Sequence, residues 1–340
     1  MKFKYLLFLA LSIFVACQNI PDSEVEHHAN LVLEDFDYFE DDIPFNNTSY
    51  SEVSNHDQIA ALGRLLFYDK QLSQNNSISC ANCHQQNLGF SDNEQFSSGL
   101  ENFKTTRNSM ALVNNAYQKF HFWEGHSGRI EDHVLNPISN HIEMGMKDIN
   151  ELVDKLSESN QYNNLFNEVY GAQISDSLIS TSLATFVASI ISYNSKFDRG
   201  KEVNFTNFTL AELAGKDLFF GKAQCGNCHK GDHYGPTWRA NTNIGLDWDY
   251  ADQGAGDGSF KVPTLRNIAL TEPYMHDGRF QSLEEVVNHY VHGVKDHPAL
   301  DWVFTQPIDL SELEQQQLIE FLHTLTDYEL IADEKFSNPF

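Results

Sequence analysis

The chain has 340 residues, 41% of them apolar and spread along its whole length, enough for two modest domains that each bury a core. Its 48 acidic and 22 basic side chains leave a formal net charge of −26, which repels nucleic acid and anionic lipid headgroups and argues against both as partners. A basic or neutral protein partner suits such a surface better.

The chain opens with MKFKYLLFLALSIFVACQN, in which two lysines precede an apolar run from Tyr5 to Val15 and then Ala16 and Cys17. This is an export signal, too short to stay as a spanning anchor. A cysteine after a small residue at the end of the run resembles a bacterial lipoprotein cleavage site. Residues 1–17 therefore read as a lipoprotein signal with Cys17 lipidated, ordinary cleavage nearby being the alternative. The expected location is the periplasmic side of a bacterial cell envelope, with membrane contact only through the lipid.

Residues 18–50 are polar and acidic, densest in EDFDYFEDDIP, and read as a linker. In DQIAALGRLLFYDK (57–70) a helical period puts Ile59, Leu62, Leu65 and Leu66 on one face, and the segment leads into SISCANCHQQ. Helical patterns follow near 148–170 and 177–196. AELAGKDLFFGK (211–222), opened by a Thr209/Glu212 capping box, then leads into QCGNCHKG. Gly63, Leu66 and Phe67 match Gly215, Leu218 and Phe219 in order and spacing, so a helix followed by a cysteine pair is used twice. The glycine-rich stretch 231–260 reads as a long loop, and Ser282 with Glu285 and Ser311 with Glu314 start two more helices. Few segments alternate as strands do. The fold class is mainly α, divided into an N-terminal domain over 51–200 and a C-terminal domain over 201–340.

Without Cys17, four cysteines remain as two pairs, Cys80/Cys83 and Cys225/Cys228, each followed directly by a histidine, His84 or His229. Two cysteines three apart on one helical turn can each bond a vinyl group of one porphyrin, and the next residue then offers its imidazole to the iron. Two c-type haems are the expected cofactors, with His84 and His229 as proximal ligands. A zinc ion shared by the pairs would leave the histidines without a reason. A redox dithiol expects a βαβ context that this sequence lacks.

The blocks LGRLLFYDKQLSQNNSISCANCH, RNSMALVN, FWEG, NPISNHIEMG, CGNCH and FKVPTLRNIALTEPYMHDGRFQSLEEVVNHY resemble the bacterial dihaem cytochrome c peroxidase and MauG family over about residues 57–327. The resemblance implies two cytochrome c-like domains, each with one haem. It places Glu143 as the distal carboxylate over the first haem, suited to relay a proton between the oxygens of hydrogen peroxide so that water leaves. It places Trp123 between the haems as an electron relay, a buried structural role being the alternative. Asn108, Thr271 and Pro273 match calcium-binding positions between the domains. The family's loop histidine that blocks the first iron is absent here, because residues 85–120 contain no histidine, so that iron is expected to be open.

At the second haem the family's peroxidases place a methionine where this chain has Tyr290, as MauG-like members do. A phenolate favours oxidised iron where a thioether favours reduced iron. His289, His292 and Met275 are alternative ligands, and Tyr290 could instead be a packing residue. The implied activity is reduction of hydrogen peroxide to water with electrons from a small c-type cytochrome or cupredoxin. MauG-like oxidation of a protein or organic substrate and plain two-electron carriage are the alternatives, and a homodimer is compatible with each. Other histidines, such as His27, His28, His121, His126, His133 and His141, and the tryptophans Trp238, Trp248 and Trp302 are assigned no role.

Overall fold

The computed structural model describes residues 31–39, 50, 53–229, 239–240, 252–294, 300–305 and 307–340. Cys17, His27, His28, Trp238, Trp248 and most of the glycine-rich stretch lie outside them, as does the side chain of Trp302. The helices are α1 (His56–Tyr68), α2 (Asn136–Ser139), α3 (Ile149–Ser157), α4 (Asn160–Tyr170), α5 (Asp176–Ser189), α6 (Lys196–Glu202), α7 (Leu210–Phe220), α8 (Cys225–Cys228), α9 (Leu283–Asn288) and α10 (Glu312–His323). A single π-helical turn, His289–Gly293, continues α9. Among the described residues, strands amount to two short antiparallel pairs, β1 (Phe120–His121) with β2 (His126–Ser127) and β3 (Arg239–Ala240) with β4 (Phe260–Lys261). The protein is mainly helical, as its periodicity predicts.

The internal repeat acquires a physical meaning in two helix crossings. A Cβ on Gly63 of α1 would stand 2.0 Å from the Ser182 carbonyl oxygen and 2.8 Å from Phe186 Cβ on α5. On Gly215 of α7 it would stand 1.8 Å from the Gln317 oxygen and 2.8 Å from Phe321 Cβ on α10. Both glycines exist so that two backbones can touch. Each crossing is then filled by aromatic rings: Phe67 lies 5.2 Å from Phe186 in the first, and Phe219 lies 5.2 Å from Phe321 in the second. The first core gathers Leu62, Leu66, Phe67, Leu183 and Phe186, all essentially inaccessible, and the second gathers Phe197, Phe219, Leu318, Phe321 and Leu322.

Local chemistry explains where helices start. Thr209/Glu212 and Ser311/Glu314 form the predicted capping boxes. The box at Ser282 is half made: its hydroxyl takes the Glu285 N–H, but the Glu285 carboxylate accepts from Gln281 N–H instead. The pattern over 148–170 divides into α3 and α4 because Ser159 caps a fresh start, and that over 177–196 into α5 and α6 because Ser195 does the same.

Two segments depart from the domain limits read in the sequence. Part of the acidic linker is docked: Tyr38 is fully buried, its ring edge-on to Phe186 and Phe336, its N–H donating to Asp57. Aromatic residues interleaved with the acidic ones carry that segment into the core. The chain also does not divide cleanly at residue 200. Its last turns return to the first half, where Phe336 packs against Tyr38, Phe90 and Phe186. Arg64, almost fully buried in α1, donates to the Glu334 and Ser337 carbonyls, and Gln86 donates to those of Leu330 and Asp333.

Candidate active site

Each C-x-x-C-H motif closes one helical turn. His84 N–H donates to the Cys80 carbonyl at 3.0 Å, and His229 N–H donates to the Cys225 carbonyl at 2.9 Å. That turn brings both sulfurs and the imidazole to the same side. None of the four cysteines forms a disulfide, and burial pushes the Cys80 and Cys225 thiols up to about 12 and that of Cys83 to about 11. A redox dithiol needs the opposite, a thiol pKa brought down towards neutrality, so that reading does not fit. Nor does a shared zinc, since no group of three or more Cys, His, Asp or Glu side chains is gathered for a metal among the described residues.

Both histidines are oriented in the same way. His84 Nδ1 lies 3.0 Å from the Phe90 carbonyl oxygen, and His229 Nδ1 lies 3.1 Å from that of Pro263. A carbonyl can only accept, so Nδ1 carries the hydrogen and Nε2 keeps the lone pair. Burial lowers both imidazole pKa values, His229 to about 4, so each ring is neutral. Neutral rings with Nδ1 anchored and Nε2 presented are what axial ligation of an iron requires. The residues present fit two haems.

On the first motif, Glu143 is near enough for its charge to bear on Cys80 and Cys83. Burial pushes its carboxyl pKa up, against a smaller opposing effect from Asn140. Asn140 is the hub of this loop: Nδ2 donates to Glu143 Oε1 at 2.7 Å, Oδ1 accepts from Ile142 N–H at 3.0 Å, and its backbone carbonyl accepts from the N–H groups of Glu143, Met144 and Gly145. Gly99 lets the chain pass close against this loop, since an added Cβ there would lie 2.1 Å from the Ile142 carbonyl oxygen. With Oε1 occupied by a donor, a proton on Glu143 resides on Oε2.

His229 lines a large cavity together with Cys225, Cys228, Trp123, Met275, His276 and Tyr290. Tyr290 reaches it from the π turn, a helical irregularity often found at functional sites, and stacks on Phe304 at 5.6 Å between ring centres. Met275, with φ +75°, also faces the cavity, whereas His289 and His292 do not line it. Asn108, Thr271 and Pro273 line the same cavity. Asn108 Nδ2 donates to the Glu94 carbonyl at 3.1 Å, so the uncharged oxygen this side chain can offer a cation is Oδ1.

The segment Arg107–Ala111 joins the two centres. Ser109 Oγ donates to the Cys83 carbonyl at 2.6 Å and stands 3.4 Å from His84 Nδ1, while Asn108, Ser109, Met110 and Ala111 all line the His229 cavity. Trp123, at the tip of the β1–β2 hairpin, donates its indole N–H to the Asn108 carbonyl at 2.8 Å and sits edge-on to His276. Arg107 fixes this junction by ion pairs to Glu124 and Asp252. Sequence reasoning missed Asn140 and Ser109; both stood inside recognisable blocks, and only the fold shows what their side chains reach.

A sequence profile described as di-haem cytochrome c peroxidase matches residues 57–204. The methylamine utilization protein MauG of Methylorubrum extorquens is 32% identical over 283 residues, covering 78% of this chain and 77% of that protein. Cytochrome c551 peroxidase of Nitrosomonas europaea is 32% identical over 241 residues, 67% of this chain and 71% of its own. Among solved structures, a MauG-like protein associated with microbial copper homeostasis superposes with a TM-score of 0.74 at 32% identity, over 83% of this chain and 93% of that one.

Proposed function

Since the chain belongs to the family of dihaem cytochrome c peroxidases and MauG, which implies two c-type haems, we propose that it reduces hydrogen peroxide to water with electrons from a small c-type cytochrome or cupredoxin. The observation that carries this reading is Glu143, half-buried beside the Cys80/Cys83 pair and clamped through one oxygen by Asn140. Bound haem would supply the redox-active iron that cleavage of the O–O bond needs. The chain supplies the rest. Cys80 and Cys83 would hold one haem and Cys225 and Cys228 the other, with His84 and His229 as the histidines offered to the irons.

Glu143 Oε2 takes a proton from one peroxide oxygen and returns it to the other, and the carboxyl pKa raised by burial suits an acid–base group that must do both. Trp123, hydrogen-bonded to the segment that touches His84, relays charge between the centres. Asn108, Thr271 and Pro273 are the proposed calcium ligands beside it, and Tyr290 is the proposed distal ligand of the second iron. Export, lipidation at Cys17 and a periplasmic setting complete the assignment; no helix among the described residues is long and apolar enough to cross a membrane.

Tyr290 favours a second reading, MauG-like oxidation of a partner protein or organic substrate, because a tyrosine ligand would disfavour the reduced iron that accepts donor electrons. Stoichiometric peroxide added to the fully oxidised holoprotein separates the two. A doubly oxidised state that persists until a substrate consumes it supports the MauG-like use, whereas reaction only after one haem is reduced supports the cytochrome-fed peroxidase. Glu143→Gln should abolish the peroxide reaction and leave both haems reducible; unchanged peroxide turnover would sink the role given to Glu143.

A further inference from the structure

Lys261 is 7% exposed, lies in β4 and lines the His229 cavity. Its ammonium has no hydrogen bond or ion pair among the described residues, and its backbone N–H is spent on the Trp123 carbonyl at 2.8 Å. The described residues lining this cavity include no Asp or Glu, and Lys261 is the one Lys or Arg among them. Burial alone brings its pKa down to about 8, with no carboxylate offsetting the loss of water. The titratable groups that feel its charge are His121 and His229, both of them made harder to protonate by it. A buried ammonium without an anion costs several kcal/mol or more, and chains keep such a group where a ligand brings the missing charge.

We propose that Lys261 is the counter-ion of the second haem, its ammonium pairing with a propionate carboxylate of that haem once it is attached. This rests on the reading that Cys225, Cys228 and His229 hold a haem here. Haem carries two propionates, and a cavity with one cation and no acid on its described wall is complementary to such a ligand. The pairing has an electronic consequence. A positive charge that neutralises a propionate disfavours the oxidised iron relative to the reduced one, so Lys261 holds up the potential that a tyrosine ligand would pull down. Because β4 is tied through its backbone to Trp123, the same residue fixes the cofactor edge relative to the proposed relay.

The test is a redox titration of both haems in purified holoprotein, wild type against Lys261→Met, Lys261→Gln and Lys261→Arg. The thioether bonds hold the haem in place whatever happens to the ion pair, so a lost contact reads as a changed potential. In Met and Gln variants the potential of the second haem should fall while that of the first stays put, and Arg should return it towards wild type. An unchanged second potential in Lys261→Met and Lys261→Gln would overturn the proposal. So would an equal drop in all three variants, which would mean altered packing. Haem counting on the same samples separates the premises: one haem per chain would overturn the reading of the cavity and Lys261's role with it.

Discussion

Replacing Asn140 by alanine removes a hydrogen bond that the ionised form of Glu143 feels most. A donor to a charged acceptor contributes ~1.5–3 kcal/mol, and the half-buried setting of both side chains points to the lower end. About 1.4 kcal/mol is a factor of ten in the ratio of ionised to neutral carboxyl. The sign follows from the role: Glu143 must be ionised to take the first proton, and losing the Asn140 donor makes it hold its own proton more tightly. The rising limb of the peroxide reaction rate against pH should therefore move to higher pH, with a rate about tenfold lower at any pH on that limb. Stopped-flow mixing of oxidised holoprotein with peroxide across a pH series reads this directly. Asn140→Asp supplies the control, because it keeps an acceptor for Ile142 N–H yet sets a second carboxyl against Glu143. It should shift the limb further than alanine does. A limb that stays in place in both variants, or a loss of rate equal at all pH values, would refute the clamp and leave Asn140 a loop-forming residue only.

Gly215→Ala should destabilise the protein by ~3 kcal/mol or more, since its Cβ meets backbone that cannot rotate away, and the same holds for Gly63→Ala; thermal unfolding of each variant checks it. Phe336→Ala should cost about 3–5 kcal/mol although it is four residues from the end of the chain, and tryptic cleavage near α1 should accelerate in step. Tyr290→Phe should change the visible and EPR spectra of one haem and raise its potential; spectra indistinguishable from wild type would remove Tyr290 from the iron.

The parts legible in the sequence were those set within one or two turns of chain. C-x-x-C-H closes its own turn, and Thr209 and Ser311 cap their own helices. The repeated glycines were visible as a pattern, but their reason, a carbonyl 1.8–2.0 Å from where a Cβ would stand, belongs to a helix more than a hundred residues away. The same distance hid Lys261. A lysine between two apolar residues in FKVP gives no sign of which way it points, and only the closing of β4 under Trp123 makes it a buried cation. Tyr38 and Phe39 were submerged in an acidic composition that averaged over them. Windowed composition sees charge; it does not see two aromatic rings finding a pocket.

The returning tail has a consequence for the order in which the molecule can assemble. Phe336 and its neighbours complete the hydrophobic wall around Tyr38, Phe90 and Phe186, so the first half of the described fold is finished by residues far along the chain. Contacts of such sequence separation carry a large loop-closure cost and form late. The first cysteine pair, which shortly precedes Phe90 in the chain, therefore lies in an unfinished half until those distant contacts form. Cofactor attachment at that pair, as proposed, then has a time window, and the segment around Phe336 is the latch that ends it.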